Sequence, residues 1–297
     1  MKIFDCTTFY SEHLMMDLRF NILNEYVDKF IVCESTISHS GKKKKLNFDI
    51  NNYPKFKDKI SYIVIDKEPD GIIGHKNGLA EPHEKRKDSL KRINLSYDYM
   101  IKAISEASDN DLIILSDNDE IPNLNSKQFR NSNKDIIIFK QLFFYYKLNL
   151  LYDLVPWYGS KAAKKKNLRS MSWLRNLKNK KYPFWRIDTL FSNTRYINLE
   201  VINDGGWHFT NVMTAEKLYE KLTNFGHHDE FELSGLTVKD LQKKIDNKEV
   251  FFNHFVDKEK YKERWNFNYK LKKIDMDRLP DYLHSNDNQI KFKDWFD

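Results

Sequence analysis

Apolar residues in the first 140 positions follow two different spacings. Short continuous runs predict buried strands, and they lie at residues 2–9, 30–33, 60–65, 112–115 and 135–146. Two longer segments, residues 12–26 and 84–107, place their apolar side chains three and four positions apart, which predicts helices. Because strands that alternate with helices are typical of βαβ crossovers, the pattern predicts an α/β fold around a mostly parallel sheet.

The pattern changes after about residue 150. Residues 161–181 contain nine Lys or Arg and no acidic residue, which favours an exposed loop or a short basic helix over sheet. A strand over 195–201 and a helix over 215–225 are predicted next, followed by a polar, helical or irregular C-terminal part. We find neither an internal repeat nor a convincing linker. The chain is therefore interpreted as one domain with two halves, 1–145 and 146–297.

Composition narrows the class of protein only moderately. The 297 residues carry a formal net charge of +7, which favours anionic ligands such as sugar nucleotides, phosphates, nucleic acid or an anionic membrane surface. No apolar run approaches the roughly 20 residues that span a bilayer, and the N-terminus lacks a signal-peptide pattern, so a soluble chain is expected. Cys6 and Cys33 lie in apolar runs and are expected to be reduced core thiols rather than a disulfide.

An acidic turn follows the fourth predicted strand directly. Asp117 and Asp119, two positions apart, come after four consecutive aliphatic residues. In an open parallel sheet, ligands bind beyond the carboxyl ends of the strands, so this pair is well placed to hold Mg²⁺ or Mn²⁺ on a diphosphate. The alternative is an acidic start of a helix. A phosphatase of the haloacid dehalogenase type is disfavoured because Ile121 stands where that motif needs Thr or Val.

Four separate segments carry a resemblance to a known family. They are Cys33-Glu34-Ser35, Gly41, the stretch 115–122, and Gly206-Trp207-His208-Phe209. In order and spacing, from residue 1 to about 230, they resemble glycosyltransferase family 17, which includes the β-1,4-N-acetylglucosaminyltransferase of bisected N-glycans. The resemblance implies a GT-A-type nucleotide-sugar-binding fold, with the donor on 1–145 and the acceptor on 146–297. It also implies a UDP-sugar donor, UDP-GlcNAc in the known case, Mn²⁺ or Mg²⁺, and inversion at the anomeric carbon.

The resemblance also suggests roles around the acidic turn. Asp117 and Asp119 match the Asp-x-Asp motif of the family and are assigned to the metal and the diphosphate. His208 would be a further metal ligand, the alternative being a structural histidine beside a buried Trp. Glu120 would orient the turn or touch the sugar, although a charge at the start of a following helix explains it equally well.

Donor binding is predicted for residues at the ends of the first two strands, on two helices and in the Gly-Trp-His-Phe segment. The candidates are Thr7, Thr8, Arg19, Glu34, Ser35, Arg92 and Trp207. The two arginines would contact the diphosphate, because a guanidinium can donate two hydrogen bonds to phosphate oxygens. A solvated helix face is the alternative for the arginines, and a place in the core is the alternative for Trp207.

The general base is sought among carboxylates of the second half. Asp204 and Asp229 are the candidates, with Asp188 behind them. Asp229 lies in the run His227-His228-Asp229-Glu230, which could instead form a metal cluster or simply a polar helix end. None of the three is singled out by sequence alone.

The predicted partners are a nucleotide sugar and a glycan, lipid-linked or glycoprotein acceptor. The basic segment 161–181 could bind an anionic acceptor or nucleic acid, or could be a solvated loop. Because the chain shows no membrane anchor, a cytoplasmic enzyme of bacterial or viral type is expected. The competing hypotheses are a basic nucleic-acid-binding protein and a transferase that glycosylates modified DNA bases.

Overall fold

The computed structural model describes residues 1–73, 82–183, 185–189, 191–254, 264–265 and 267–297. Its first half is a parallel sheet in the order β3-β2-β1-β4. The strands are β1 (Ile3–Phe9), β2 (Lys29–Ser35), β3 (Ile60–Ile65) and β4 (Leu112–Ser116), and the helices are α1 (His13–Leu23) and α2 (Pro82–Tyr99). Every residue of β4 is buried, as expected for a strand covered on both faces.

The second half extends the same sheet and adds short helices. Its strands are β5 (Glu120–Pro122), β6 (Ile136–Tyr145), β7 (Leu150–Leu151), β8 (Trp157–Lys164), β9 (Leu199–Ile202), β10 (Gly206–Thr210), β11 (Glu249–Val250), β12 (Tyr269–Lys270) and β13 (Lys272–Lys273). Its helices are α3 (Lys127–Arg130), α4 (Met171–Asn176), α5 (Ala215–Asn224), α6 (His228–Ser234), α7 (Val238–Asp246) and α8 (Asn286–Lys291).

The halves join through β8, which pairs antiparallel with both β4 and β6. Strand β6 also pairs parallel with β9 and β10, and β10 pairs antiparallel with β5. Within the described residues the result is one mixed sheet of eleven strands plus a β11–β12 pair. The predicted α/β class is confirmed, with the parallel pairing concentrated in the first half.

Two sequence predictions are wrong at this level. Residues 161–164 belong to β8 in the middle of the sheet, where Ala162 and Ala163 are fully buried, and only 171–176 form the expected short helix. The strand tolerates Lys161 because its ammonium donates hydrogen bonds to the carbonyls of Arg175 (2.5 Å) and Leu177 (2.7 Å). The acidic turn leads into strand β5, so the alternative of a helix start is also wrong.

Three apolar clusters surround the sheet. One packs α1 against β1, β2 and β10, a second packs α2 and α4 against β4, and a third lies under α5, α6 and α7. Cys6 and Cys33 are buried free thiols, as expected. Among the described helices, none is long and apolar enough to cross a membrane.

Candidate active site

Two buried side chains hold the turn that follows β4. Arg19 on α1 is fully buried, forms an ion pair with Asp5 at 2.5 Å, and donates to the carbonyl oxygen of Glu120 at 2.7 Å. The Glu120 carboxylate accepts from the Asp117 amide at 3.1 Å and from the Trp157 indole at 2.9 Å. Burial raises the pKa of Glu120. The turn is therefore held from below by a network centred on the fully buried side chains of Arg19, Asp5 and Glu120.

Asp117 is anchored from the opposite side by α2 and α4. Its two carboxylate oxygens accept from the Tyr97 hydroxyl at 2.7 Å and from the Arg175 guanidinium at 2.8 Å. The Asp117 charge raises the pKa of Arg175, and burial followed by Asp117 raises that of Tyr97. Both oxygens of Asp117 are thus engaged by protein donors.

Asp119 is the less constrained carboxylate of the pair. Its Oδ1 lies 3.5 Å from His208 Nε2, and its Oδ2 lies 3.7 Å from Lys221 Nζ. Lys221 on α5 also contacts Glu12 Oε1 at 3.2 Å, and Glu12 Oε2 accepts from Asn118 at 2.8 Å. Burial alone would raise the pKa of Asp119, but His208 and Lys221 outweigh it and hold that pKa well below its usual range. Asp119 is therefore ionised and faces two nitrogen groups.

His208 reaches this position through strand pairing. It lies opposite Glu120 in the β10–β5 ladder, and its ring stacks on Trp157 at 4.3 Å and on Phe143 at 4.5 Å between centroids. Its Nδ1 is buried and has no hydrogen-bond partner among the described residues. The aromatic contacts fix the plane of the ring, so its Nε2 is directed at Asp119.

The side chains around Asp119 include few groups that could hold a divalent cation. Within the described part of the chain, no group of three or more Asp, Glu, His or Cys side chains is arranged to hold a metal ion by itself. Asp119 and His208 do form a carboxylate–imidazole pair, and Mg²⁺ or Mn²⁺ commonly takes only one or two protein ligands when substrate phosphates complete its shell. These two residues therefore fit a cation that a diphosphate also coordinates.

Several predicted donor-binding residues have structural roles. Arg19 is fully buried. Glu34 is buried and accepts from Lys44, from the amides of Asn47 and Phe48, and from Tyr62, so it shapes the loop after β2. Because a buried charge needs partners inside the protein, these contacts give Arg19 and Glu34 structural roles, and donor binding by them stays a prediction.

Trp207 and Arg92 also make contacts within the protein, and Arg92 donates to the His39 carbonyl at 3.2 Å. Trp207 packs against the α1 side of the core and donates its indole N–H to the Arg278 carbonyl at 2.8 Å. Adjacent residues of a strand point to opposite faces, so Trp207 cannot share the His208 face. Arg92 forms two hydrogen bonds with Glu68, at 2.8 and 3.0 Å, and supports the loop at Gly41.

Three smaller residues lie at the ends of β1 and β2. Thr7 is buried opposite Ser116 of β4, Thr8 is half-buried, and the Ser35 hydroxyl accepts from the amide of Ile37 at 3.0 Å. Thr8 and Ser35 both keep accessible surface near the carboxyl ends of their strands. Nucleotide contact by all three residues stays a prediction.

The three candidate bases have different surroundings. Asp204 is exposed and accepts from Asn123 at 3.0 Å, at the opposite end of β10 from the acidic turn. Asp188 is exposed and paired with Arg186 and Arg195. Asp229 is buried on α6, and its Oδ1 has no hydrogen-bond partner among the described residues. Its burial and its unpaired oxygen distinguish Asp229 from the other two.

Several residues of the site carried no recognisable sequence signal. Tyr97, Trp157 and Arg175 surround the turn, and Glu12 and Lys221 complete it. Arg175 was hidden within the basic segment, and Lys221 looked like an ordinary lysine of an amphipathic helix. The charges of Asp117 and Glu12 also act on His39, where they oppose the burial that lowers its pKa to about 4.

The sequence model of glycosyltransferase family 17 matches residues 1–293, essentially the whole chain, which confirms the resemblance of the four motifs. No curated protein matches the chain. One solved structure with some similarity is HddC from Yersinia pseudotuberculosis complexed with GMP-PN; it is 13% identical with a TM-score of 0.31, over 68% of this chain and 91% of that chain.

Proposed function

Because the chain belongs to glycosyltransferase family 17, we propose that it moves a sugar from a UDP-sugar to a hydroxyl of a glycan acceptor, with inversion. N-acetylglucosamine is the sugar that the family's known donor suggests. The observation that supports the proposal best is the position of Asp119. It lies beyond the carboxyl end of β4, where nucleotide sites occur in such sheets, and it faces His208 and Lys221.

The donor end of the reaction must accommodate the charge of a departing diphosphate. We assign Asp119 and His208 to the divalent cation, Mn²⁺ or Mg²⁺, which when bound would neutralise the leaving oxygens. Lys221 supplies a fixed positive charge beside the same carboxylate. Arg175 and Tyr97 keep Asp117 in one orientation, so the turn does not have to reorganise when the donor binds.

The acceptor end needs a base. The acceptor oxygen bonds to C1 of the sugar while the bond from C1 to the diphosphate oxygen breaks, and the nucleoside diphosphate leaves with that electron pair. The hydroxyl proton passes to a carboxylate of the protein. We assign this role to Asp229 rather than Asp204. Asp229 is buried, and its Oδ1 has no hydrogen-bond partner within the described part of the chain, while Asp204 is a surface residue.

Calorimetric titration with UDP-GlcNAc, with and without Mn²⁺, tests the proposal. We expect donor binding that Mn²⁺ strengthens, and loss of the Mn²⁺-dependent part in Asp119→Asn. The matched control is Asp281→Asn, whose side chain is 89% exposed on a different surface. Absence of UDP-sugar binding, or binding that is equal in Asp119→Asn and the wild type, would show the proposal to be wrong.

A further inference from the structure

A closed surface loop joins α4 to β9. Its two ends meet where the Lys178 amide donates to the Thr194 carbonyl at 2.7 Å, and Arg169 donates to the Ser192 carbonyl at 3.2 Å. The loop begins three residues after Arg175, which contacts Asp117. We call the described residues of 178–195, that is 178–183, 185–189 and 191–195, the α4–β9 loop. Its base is therefore fixed to the element that forms one wall of the candidate active site.

The outer part of the α4–β9 loop exposes large apolar side chains. Trp185 is 66% exposed, Ile187 69% and Phe191 86%. Of the large hydrophobic residues in the described part of the chain, only Met1 and Ile290 are comparably exposed, at 81% and 69%. Single exposed apolar residues are ordinary, but three within seven positions concentrate exposed apolar surface in one loop, and concentrated apolar surface marks interaction sites.

The same loop is strongly basic. It contains Lys178, Lys180, Lys181, Arg186 and Arg195 against one acidic residue, Asp188. That carboxylate is shared by Arg186, at 2.6 Å, and Arg195, at 2.7 Å.

The positive charges are also clustered in space. The Lys180, Arg186 and Arg195 cations all lie about 6 Å from the centre of the Tyr182 ring, at 6.0, 5.9 and 5.7 Å. Positive charge and exposed aromatic surface therefore occupy one small region of the molecule.

We propose that the α4–β9 loop docks on the surface of an anionic lipid bilayer, with Trp185, Ile187 and Phe191 in the interfacial region. Basic side chains would pair with lipid phosphates, and aromatic rings favour the depth of the headgroups. Nucleic acid would satisfy the charges and could stack on the rings, but it offers no hydrocarbon for Ile187. The combination of basic and apolar side chains fits a membrane surface better.

This docking does not depend on the proposed transfer reaction. It would hold the wall formed by α4 next to the bilayer and bring a lipid-linked substrate within reach of the acidic turn. It also accounts for part of the basic segment, which the contacts of Arg175 and Lys161 leave unexplained.

Vesicle co-sedimentation tests the apolar contribution. The full chain should sediment with vesicles of phosphatidylcholine mixed with phosphatidylglycerol and stay in solution with phosphatidylcholine alone. Ile187→Ser and Phe191→Ser should each lower partitioning about tenfold, since an interfacial apolar side chain returns to water. Ile290→Ser is the matched control, because Ile290 is as exposed as Ile187 and lies on α8; it should sediment like the wild type.

A second pair of variants tests the charge contribution. Lys180→Gln combined with Lys181→Gln should weaken binding to the anionic vesicles about fivefold per lysine. Lys239→Gln combined with Lys243→Gln removes the same charge from exposed positions of α7 and should change little. Equal losses in the two pairs would reduce the effect to net charge and overturn the proposal.

Two further outcomes would also overturn it. One is failure of the wild type to sediment with anionic vesicles. The other is salt-sensitive binding of a single-stranded oligonucleotide that the Lys180 and Lys181 changes abolish while Phe191→Ser leaves vesicle partitioning unchanged. Thermal unfolding of each variant should match the wild type, since the replaced side chains are exposed. UDP-GlcNAc titration of the same variants keeps this test separate from that of the proposed function.

Discussion

The Lys221 ammonium lies 3.7 Å from Asp119 Oδ2, across a boundary between two distant parts of the chain. Lys221 belongs to α5, and Asp119 follows β4. Burial would lower the pKa of Lys221, but Glu12 and Asp119 outweigh it and raise that pKa above its usual value. The contact therefore combines an ionised lysine with two ionised carboxylates, and it links α5 to the acidic turn.

Lys221→Met should destabilise the protein by about 2 kcal/mol at neutral pH. Removing one partner leaves two poorly solvated carboxylates without their counter-charge. The pKa of Asp119 is held low in the folded state, so this contribution is present above about pH 4 and fades as the pH falls below it. Urea unfolding at neutral pH and below about pH 4 measures the change. Lys217→Met, on the exposed side of α5, is the control. Equal stability of the two variants would contradict the argument.

Asp229→Asn should slow the hydrolysis of UDP-GlcNAc, in which water replaces the acceptor, about a hundredfold or more without weakening donor binding. The amide retains the shape of the side chain but cannot accept a proton. The measurement combines UDP release with calorimetric donor binding. Asp204→Asn should leave both unchanged, because that carboxylate is exposed and bonded to Asn123. If hydrolysis is slow in Asp204→Asn and normal in Asp229→Asn, Asp204 is the base instead.

His254 should make the folded state sensitive to mild acid. Its Nε2 is hydrogen-bonded to the Tyr145 hydroxyl at 2.6 Å, and burial, followed by nearby positive groups, lowers its pKa to about 3. In the unfolded chain the imidazole takes up a proton near pH 6.5, so stability is lost as the pH falls from about 6.5 towards 3.

His254→Gln should remove that dependence while retaining a hydrogen bond to Tyr145. Between about pH 7 and pH 5, the wild type should lose about 1–2 kcal/mol more than His254→Gln. Chemical denaturation at the two pH values measures the difference. Parallel losses in both proteins would show that His254 is not the group responsible.

Lys161 should have the same kind of effect at higher pH, where the protein should become more stable as the pH rises. Burial, followed by Arg175, lowers its pKa to about 7, whereas an unfolded lysine titrates near 10.4. Between these values the unfolded chain binds more protons, so stability rises with pH, by about 2 kcal/mol from pH 7 to 9. Lys161→Met should lack this rise. Equal slopes in wild type and variant would contradict the lowered pKa.

Gly159→Ala should cost about 1–3 kcal/mol, because a methyl group has no room beneath the acidic turn. A Cβ at this position would lie 2.1 Å from Gln141 Oε1 and 2.7 Å from Glu120 Cδ. Urea unfolding measures the loss. Combining the change with Gln141→Ala opens space and should recover part of the stability, whereas additive losses would indicate another cause.

Local pattern was sufficient to predict the scaffold and the position of the acidic pair within it. Four adjacent aliphatic residues specify a strand buried on both faces, and an acidic pair directly after them must lie at the carboxyl edge of the sheet. Periodicity predicted helices over 12–26 and 84–107, and the structure has helices over 13–23 and 82–99, the second followed by a short 3-10 helix to Ile104. These predictions succeeded because they depend on neighbours within a few residues.

Which charged residues face the ligand depended on tertiary structure. Arg19 and Glu34 looked like donor contacts, yet each is buried among partners that sequence spacing does not reveal. Lys221 and Arg175 reach the turn from 102 and 58 residues away, counted to Asp119 and Asp117. Periodicity indicates which face of an element is apolar, whereas the pairing of a charge is decided only when the sheet brings remote elements together, since its energy depends on distance and burial.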